Sequence, residues 1–278
     1  MSLTNIIQQV LSGTGATLLI FFSTLIISMP LGLAVAMGRM SNIRPFGNLE
    51  VKLQDPDADK KIEGLKSAPQ EAGKTSAQRP SENRNRLSAG VVRLTRSVLF
   101  ALKRFNPIRL LFQFIISVLR GTPLMLQLFV WFYGPYYVFH IRLTTEWRVA
   151  AVILGFSINY AAYFAEIFRS GIQGIPDGQR EAAKVLGYSR FQTFFKIIFP
   201  QMIKQVLPPV TNEIITLVKD TSLAFVIAYV EVFTIAKQVA AAQTTIVPLF
   251  VAGVFYYIFN LLVAGVMGKA ERTLNYYS

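Results

Sequence analysis

Long apolar runs separated by short polar connections dominate this chain of 278 residues. A helix needs roughly 20 apolar residues to cross a bilayer, and the first run, residues 16–38, reads "ATLLIFFSTLIISMPLGLAVAMG". Secretory signal peptides begin with basic residues and have a shorter apolar core of about 7–15 residues. Because no Lys or Arg precedes this run, the pattern predicts a retained transmembrane helix.

The rest of the apolar pattern predicts four more spans. The stretch 107–139 is too long for one crossing and carries Arg109 and Arg120, so we expect a helix near the inner interface over residues 108–119. The crossing would then begin near Pro123 and end in an aromatic belt of the kind found at membrane surfaces. Three further spans are expected at residues 149–168, 207–230 and 246–267. The pattern therefore predicts an all-α membrane protein with about five transmembrane helices.

The distribution of Lys and Arg indicates how these spans are oriented. The net charge is +13, and half of the 28 cationic side chains fall between Arg39 and Arg104. Basic residues accumulate on the cytoplasmic side, so the N-terminus is predicted outside and the C-terminus inside, in a multi-pass protein of the cell membrane. The basicity thus reports topology, and we expect contact with membrane lipid rather than with nucleic acid.

Residues 41–92 interrupt the apolar pattern with a polar segment rich in Lys, Glu, Asp, Ser and Pro. Such a composition cannot bury enough apolar surface to offset the entropy of ordering. We predict a flexible cytoplasmic insertion within a single transmembrane domain that spans residues 1–278. The triplet "GKT" at Gly73–Thr75 lacks the earlier glycine and the preceding strand of a phosphate-binding loop, so this chain is not expected to bind ATP.

Residues suited to metal or covalent chemistry are scarce. The chain has no Cys, and His140 is its one His. This composition excludes disulfides and Cys nucleophiles, and it leaves too few ligands for a zinc site. No convincing Ser–His–Asp set is visible, so we expect no enzyme, no metal and no cofactor on this chain.

Residues 177–200, between the third and fourth predicted spans, have the pattern helix, break, helix. Asp177 is expected to cap the first helix, and Gly187 to end it in the left-handed conformation that glycine adopts without strain. The sequence "SRFQ" at residues 189–192 fits a capping box, in which two side chains satisfy each other's backbone N–H groups. Pro200 is expected to limit the second helix.

The first of these helices has only about two turns, too few to be stable in water by itself. A partner protein that contacts its small face, Ala182 and Ala183, would supply the missing packing. On the physics alone, a docking segment and an ordinary amphipathic connector are equally well supported.

The stretch "EAAKVLGYSRFQTFFKIIFP" resembles the EAA loop of permease subunits of ABC transporters. That loop reads E-A-A, three residues, G, nine residues, I, one residue, usually L, then P, and Phe199 stands here in place of the usual leucine. The positions in register are Glu181, Ala182, Ala183, Gly187, Ile197 and Pro200. The stretches "RGTPL", "KDTSL" and "NYAAYFAEIFRSGI" are similar to the branch of that family that carries polar amino acids. The resemblance covers nearly the whole chain except about residues 41–92.

The resemblance implies the membrane-spanning subunit of an ATP-driven importer for polar amino acids. Such a subunit pairs with a second permease, identical or homologous, and an extracytoplasmic binding protein delivers the amino acid. ATPase subunits, which hold ATP and Mg²⁺, receive the cytoplasmic coupling helix: Glu181 would make a polar contact, the two alanines would allow close approach, and Gly187 would make the turn. The alternative is a stand-alone secondary transporter or channel for a small polar solute, which leaves this loop without a role.

Charges inside apolar runs are costly and are usually functional, so they suggest where a solute passes. The pathway candidates are Arg120, Thr122, Pro123, Gln127, Lys219, Asp220, Thr221 and Ser222. An amino acid needs an acid and a base, for which we expect Asp220 with Arg120 or Lys219, although structural pairing of these charges stays open. Thr221 and Ser222 can bond backbone carbonyls of a bent or broken helix. Gln127 faces either the pathway or a neighbouring helix, and Glu166 is expected to pair with Arg169.

Overall fold

A computed structural model describes residues 2–40, 106–140 and 142–275 of the chain. The described residues of the ranges 1–40 and 111–278 form one compact unit. The described residues contain no strand and form ten α-helices: α1 (Leu3–Leu11), α2 (Thr14–Met40), α3 (Pro107–Gly121), α4 (Leu124–Phe139), α5 (Thr145–Gln173), α6 (Asp177–Val185), α7 (Arg190–Thr193), α8 (Phe199–Asp220), α9 (Val232–Gln243) and α10 (Val247–Asn275). A π-helical turn (Phe194–Ile198) precedes α8, and a 3₁₀ helix (Thr221–Ile227) follows it. The predicted insertion over residues 41–92 lies outside the described residues.

The helices account for up to five membrane crossings. Three are long and apolar enough to span by themselves: the segment Leu3–Met40, which contains α1 and α2, and the helices α5 and α10. Two bent pairs pass the same test together, with an angle of 109° between α3 and α4 and of 56° between the α7–3₁₀ segment and α9. The predicted all-α membrane fold with about five spans is confirmed. The orientation of the termini stays a prediction.

The pair α2 and α5 forms the centre of the fold, and small residues let the two helices approach closely. Ser28, Gly32 and Ala36 recur every four residues along α2, and all three are buried. A Cβ on Gly32 would lie 2.8 Å from Cβ of Phe164 and 3.1 Å from the carbonyl oxygen of Ala161, both in α5. A small residue at every fourth position is a common interface between membrane helices, because it allows van der Waals contact between backbones.

The predicted break near Thr221 and Ser222 is present where α8 changes into the 3₁₀ helix. Oγ1 of Thr221 donates to the carbonyl of Val218 at 2.8 Å, and Oγ of Ser222 donates to the carbonyl of Lys219 at 2.7 Å. These bonds occupy carbonyl groups at the point where the backbone pattern changes. A hydrogen-bond partner for each backbone carbonyl matters in the core of a bilayer, where no water is present to bond it.

The predicted span over residues 207–230 is helical as far as Ile227, and the chain bends after it. Ala228 takes a left-handed backbone, with φ +55°, and the chain turns there into α9. The carboxylate of Glu231 caps α9 by accepting from the N–H groups of Phe233 and Thr234 at 2.8 and 2.7 Å. A glutamate cap accepts these two N–H groups that a helix start leaves without partners, so the bend is locally stable.

The N-terminal helix α1, which the sequence pattern did not predict, packs against α9 and α10. Ile6 and Val10 are buried with Val232 of α9 in a small apolar cluster. A Cβ on Gly13, between α1 and α2, would lie 2.6 Å from the backbone of Glu231, so the chain needs a glycine there. This contact fixes the start of the long helix α2 against the turn that precedes α9.

Candidate functional site

The segment that follows α5 folds into a short protruding helix. Gly187 stops α6 with φ +78°, a left-handed conformation that favours glycine. The N–H of Gly187 donates to the carbonyl of Lys184 at 3.1 Å, and the N–H of Tyr188 donates to that of Ala183 at 3.0 Å. The two bonds form a Schellman motif. The predicted helix end at Gly187 is confirmed.

The second helix of this segment differs in part from the prediction. The backbone N–H of Gln192 donates to Oγ of Ser189 at 3.2 Å, and the N–H of Ser189 donates to Oε1 of Gln192 at 2.9 Å, which confirms the capping box. However, α7 ends at Thr193, and the π-helical turn leads directly into α8, which holds Pro200 in its first turn. The prediction that Pro200 limits the helix is wrong, because a first-turn position does not need the N–H that proline lacks.

The predicted cap at Asp177 is also wrong. Pro176 occupies the cap position, no side chain caps the helix there, and Asp177 is the first residue of α6. Oδ1 of Asp177 lies 3.8 Å from Nη1 of Arg180, whose Nη2 donates to the carbonyl of Ile172 at 3.0 Å. Arg180 thereby ties the protruding helix to the end of α5.

One exposed strip of α6, toward its C-terminal end, is apolar. Val185 is 87% exposed and Leu186 71% exposed, whereas Ala183 is completely buried within the chain. Ala182 is exposed beside these large residues, so a partner would contact it rather than Ala183. Of the other residues in the EAA pattern, Glu181 and Pro200 are exposed and Ile197 is partly buried. Exposed apolar surface of this kind marks interaction sites in proteins.

A polar cleft of about 540 Å³ opens between α5, α8 and the junction of α3 with α4. This volume lies within the range of small-molecule sites, roughly 300–1,000 Å³. Four of the predicted pathway residues line it: Arg120, Thr122, Pro123 and Asp220. The other polar residues of the lining are Asn159, Tyr160, Tyr163, Glu213 and Thr216.

Two tyrosines of α5 hold the acid and the base of the polar cleft. The hydroxyl of Tyr160 donates to Oδ2 of Asp220 at 2.8 Å. The guanidinium of Arg120 lies over the ring of Tyr163, 5.2 Å from its centroid, in a cation–π contact. Its Nη1 is 4.0 Å from Oε1 of Glu166, and the Arg120 side chain remains 45% exposed. A carboxylate and a guanidinium therefore share one cleft.

Gln127 does not line the polar cleft but stabilises the break beside it. Its Nε2 donates to the carbonyl of Leu119 at 2.8 Å and to the carbonyl and hydroxyl of Thr122 at 3.1 and 2.9 Å. Asn159 of α5 donates to Oε1 of Gln127 at 3.0 Å. The extended backbone of Pro123 starts α4, which confirms the predicted helix start there. Of the two orientations left open for Gln127, the one toward neighbouring helices is correct.

The remaining pathway candidates lie outside the lining of the polar cleft. Lys219 is exposed, and Thr221 is fully buried, with its hydroxyl bonded to the backbone as described above. Ser222 also bonds to the backbone. The basic partner that the structure brings into the same cleft as Asp220 is Arg120 rather than Lys219.

Glu166 is the shared carboxylate of a cluster of basic residues at the end of α2 and α5. Its Oε2 accepts from Arg169 at 2.8 Å, which confirms the predicted pair, and its Oε1 accepts from Arg39. A second cleft, of about 450 Å³, lies beside this cluster and shares Arg120 and Tyr163 with the polar cleft. Arg120 therefore lines both clefts, with Glu166 in the second cleft and Asp220 in the polar cleft.

The sequence reasoning missed several residues of the polar cleft. Tyr160 and Tyr163 belong to the quoted stretch "NYAAYFAEIFRSGI", where their spacing of three places both on one helix face. Glu213 lies in the stretch "NEIITLVKD", residues 212–220, and its charge inside an apolar helix would have identified it. Such residues are hard to find from the apolar pattern, because the other residues of the same span keep that pattern.

Comparison with known proteins agrees with this architecture. Residues 94–276 match the family described as "binding-protein-dependent transport system inner membrane component". The L-cystine transport system permease protein TcyB of Bacillus subtilis (strain 168) is 34% identical over 190 residues, which cover 68% of this chain and 80% of that protein. The arginine transport system permease protein ArtQ of the same organism is 36% identical over 171 residues, which cover 61% and 77%.

Two solved structures have the same fold. An amino acid ABC transporter crystallised with histidines gives a TM-score of 0.67 at 23% identity, covering 98% of this chain and 99% of that chain. The inward-facing MetNI methionine ABC transporter gives a TM-score of 0.57 at 15% identity, covering 99% of both chains. At these identities, the similarity concerns the fold.

Proposed function

Because the chain belongs to the family of binding-protein-dependent transport inner membrane components, we propose that it is the pathway-forming subunit of an ATP-driven importer for polar amino acids. Proteins of this family work with an ATPase and with a substrate-binding protein. The chain is a transport subunit of the membrane, and ATP hydrolysis belongs to a partner chain. The observation that carries the proposal is the exposed apolar strip of α6, in a chain whose helices α5 and α8 also line a cleft that contains an acid and a base.

The polar cleft suits an amino acid. A zwitterion carries an ammonium and a carboxylate, and Asp220 and Arg120 offer the opposite charge to each. Charge-assisted hydrogen bonds of this type are roughly twice as strong as neutral ones. Arg120 is half-exposed, and its Nη1 is 4.0 Å from Oε1 of Glu166, the outer limit of an ion pair. A ligand carboxylate can therefore reach the guanidinium of Arg120 without breaking a buried ion pair.

The protruding helix α6 suits a coupling role. Its Schellman turn and the contact of Arg180 with the carbonyl of Ile172 make it a stiff extension of α5. In the proposed complex, the ATPase receives Ala182, Val185 and Leu186, and Glu181 makes a polar contact at the edge of that surface. Ala183 acts from inside, where only a small side chain fits between α6 and the rest of the chain.

Motion of α6 would move both walls of the polar cleft. The helix is attached to α5 on one side and, through α7 and the π-helical turn, to α8 on the other. The acid Asp220 belongs to α8 and its tyrosine partner to α5. The ATPase subunits hold ATP and Mg²⁺, and they close and open as a pair when ATP binds and is hydrolysed. This motion would open the polar cleft alternately to one membrane face and to the other. A second permease and an extracytoplasmic binding protein complete the proposed importer.

Co-purification tests the docking surface. We expect Leu186→Asp to abolish co-elution of the ATPase with the tagged permease, because a carboxylate would be buried without a partner. Leu143→Asp is the matched control, since Leu143 is an exposed leucine at the opposite end of α5. ATPase retained by the Leu186 variant would contradict the docking role. Amino acid flux through liposomes that hold the permease without an ATPase would favour a stand-alone transporter instead.

A further inference from the structure

The second cleft, which adjoins the polar cleft at Arg120 and Tyr163, is lined mainly by groups that can donate hydrogen bonds. Its polar side chains are Arg39, Gln113, Ser117, Arg120, Tyr163 and Glu166. Glu166 is the one carboxylate in the described lining, and both of its oxygens already accept from arginines, Oε1 from Arg39 and Oε2 from Arg169. A ligand in this cleft would therefore meet two guanidiniums and several neutral donors, but no unoccupied carboxylate.

Four of these donor groups lack a hydrogen-bond partner within the part of the chain that the structure describes. The side chains of Gln113, Ser117 and Tyr163 take part in no hydrogen bond there. The guanidinium of Arg120 approaches Glu166 only to 4.0 Å and otherwise lies over the ring of Tyr163. Arginine presents its N–H donors as a planar fork that binds two oxygens of a phosphate with parallel bonds. The second cleft thus offers unused donors suited to an oxyanion.

The helix α3 presents two different faces beside this cleft. Gln113, Ser117 and Arg120 recur every three or four residues, so they share the face that lines the cleft. Elsewhere on the same helix large apolar side chains are exposed: Leu111, Phe114, Ile115 and Val118. Because α3 meets α4 at an angle of 109°, it runs across the direction of that span instead of continuing it. A lipid would place its headgroup at the first face and its acyl chains against the second.

The second cleft lies at the depth where the phosphates of a bilayer begin. Trp147, in the first turn of α5, belongs to a residue type that is enriched at membrane interfaces. Glu166 follows it by 19 residues in the same helix, or ~29 Å along the axis at about 1.5 Å per residue. The hydrocarbon core of a bilayer is about 30 Å thick, so Glu166 lies at the opposite edge of that core. An anion in the second cleft would therefore lie at the level of the lipid headgroups.

We propose that the second cleft binds a phosphate group of net negative charge. Arg39 and Arg120 supply the positive charge, and Gln113 and Ser117 donate further hydrogen bonds. Two kinds of molecule carry such a group: an anionic lipid, and a soluble phosphate ester or free phosphate. Basic pockets between membrane helices bind the headgroups of anionic lipids. The bound phosphate ties α3 to the end of α2. This site goes beyond the proposed function, because the phosphate is not the transported solute.

Lipid binding by the full chain, purified in detergent, tests the site. Phosphatidylglycerol and the zwitterionic phosphatidylcholine are titrated and counted by native mass spectrometry, and the wild type should bind the first about 10-fold or more tightly. In Gln113→Glu, which keeps the shape, the new carboxylate takes the place of the anion and should abolish this preference. Gln9→Glu, on the exposed side of α1, is the matched control and should bind as wild type does.

Titration of glycerol 3-phosphate and inorganic phosphate identifies the source of the anion. If either displaces phosphatidylglycerol at a comparable concentration, the natural ligand is soluble, whereas binding of phosphatidylglycerol alone assigns the site to a lipid. Equal affinity of the wild type for the two lipids, with no binding of the soluble phosphates, would overturn the proposal.

A preference that Gln113→Glu retains would show that the anion binds elsewhere and would equally overturn the site. Should Gln113→Glu not fold, Ser117→Glu places the carboxylate at an exposed position of the same helix face, and Ser117→Gln is its uncharged counterpart of equal size. The first must then lose the preference for phosphatidylglycerol and the second must keep it. The proposed transport function is unaffected by any of these results.

Discussion

The hydroxyl of Tyr160 donates a 2.8 Å hydrogen bond to Oδ2 of Asp220, and this contact joins α5 to the last residue of α8. Directly after Asp220 the backbone changes from an α-helix to a 3₁₀ helix. The bond therefore fixes a carboxylate at the point where the wall of the polar cleft changes its geometry. In a bilayer, such a bond also offsets part of the cost of placing a charge away from water.

Tyr160→Phe should leave the Asp220 carboxylate without its donor while the aromatic ring stays in place. A hydrogen bond to a charged group contributes ~1.5–3 kcal/mol, so we expect a clear loss of thermal stability and of amino acid binding by the permease–ATPase complex. Tyr163→Phe is the matched control. Its ring would still lie under Arg120, and among the described residues its hydroxyl has no hydrogen-bond partner. Equal behaviour of the two variants would argue against the Tyr160–Asp220 contact.

Gln127→Leu should destabilise the sharp break between α3 and α4. The substitution removes the side-chain donor to the carbonyl of Thr122 and one of the two donors to the carbonyl of Leu119, which also accepts from Asn159 at 3.3 Å. A carbonyl left without a partner costs ~1–3 kcal/mol. Thermal unfolding of the purified protein in detergent measures the loss. Gln8→Leu, on the exposed side of α1, should unfold at the wild-type temperature. A Gln127 variant as stable as wild type would show that water or lipid headgroups satisfy these carbonyls instead.

Gly32→Ala should weaken the packing of α2 on α5. The added Cβ would lie 2.8 Å from Cβ of Phe164, too close for carbon atoms, so one helix must shift, at a cost of ~1–3 kcal/mol. Gly253→Ala in α10 is the comparison, because no atom lies within 4 Å of the position of its Cβ. Thermal unfolding of the two variants should differ by several degrees. If they unfold together, the α2–α5 contact is looser than described.

Sequence patterns predicted the long elements of this fold well, because length and hydropathy report directly on membrane crossing. The helices α2, α5 and α10 follow from their apolar runs, and the turns at Gly187 and Ser189 follow from local cap chemistry. Those features depend on residues close together in the chain. The helices α1 and α9 were missed, since their stability comes from contacts between Val10, Gly13 and Val232, which are distant in sequence.

The site was predictable only where a residue's type was unusual for its surroundings. Asp220 and Arg120 stood out as charges in apolar stretches, and the structure brings both into one cleft. Lys219 stood out equally but projects away from the lining, because one residue along a helix changes the direction of a side chain by about 100°. The sequence alone does not show which of two adjacent charged residues points into a cleft.

Gly187→Val should uncouple the protruding helix from the transport domain. The left-handed backbone at Gly187 is strained by ~1–2 kcal/mol for any residue with a Cβ, and more for a β-branched one, so the Schellman turn would open and α6 would point elsewhere. The fold should survive, because no atom lies within 4 Å of the new Cβ. We expect amino acid uptake to be lost while the membrane domain keeps its thermal stability. The readouts are uptake by proteoliposomes that contain the full complex, and the ATPase rate with and without amino acid.

Two further variants separate backbone strain from the mere presence of a side chain. Gly187→Asn should retain most uptake, since asparagine tolerates the left-handed conformation better than valine does. Gly15→Val places the same side chain in the first turn of α2, away from α6, where the backbone is helical and the space is open, and it should transport normally. If Gly187→Val supported uptake and amino acid-dependent ATP hydrolysis at wild-type rates, the direction of α6 would not matter for coupling. The role assigned to this turn would then be wrong, even with the docking surface itself intact.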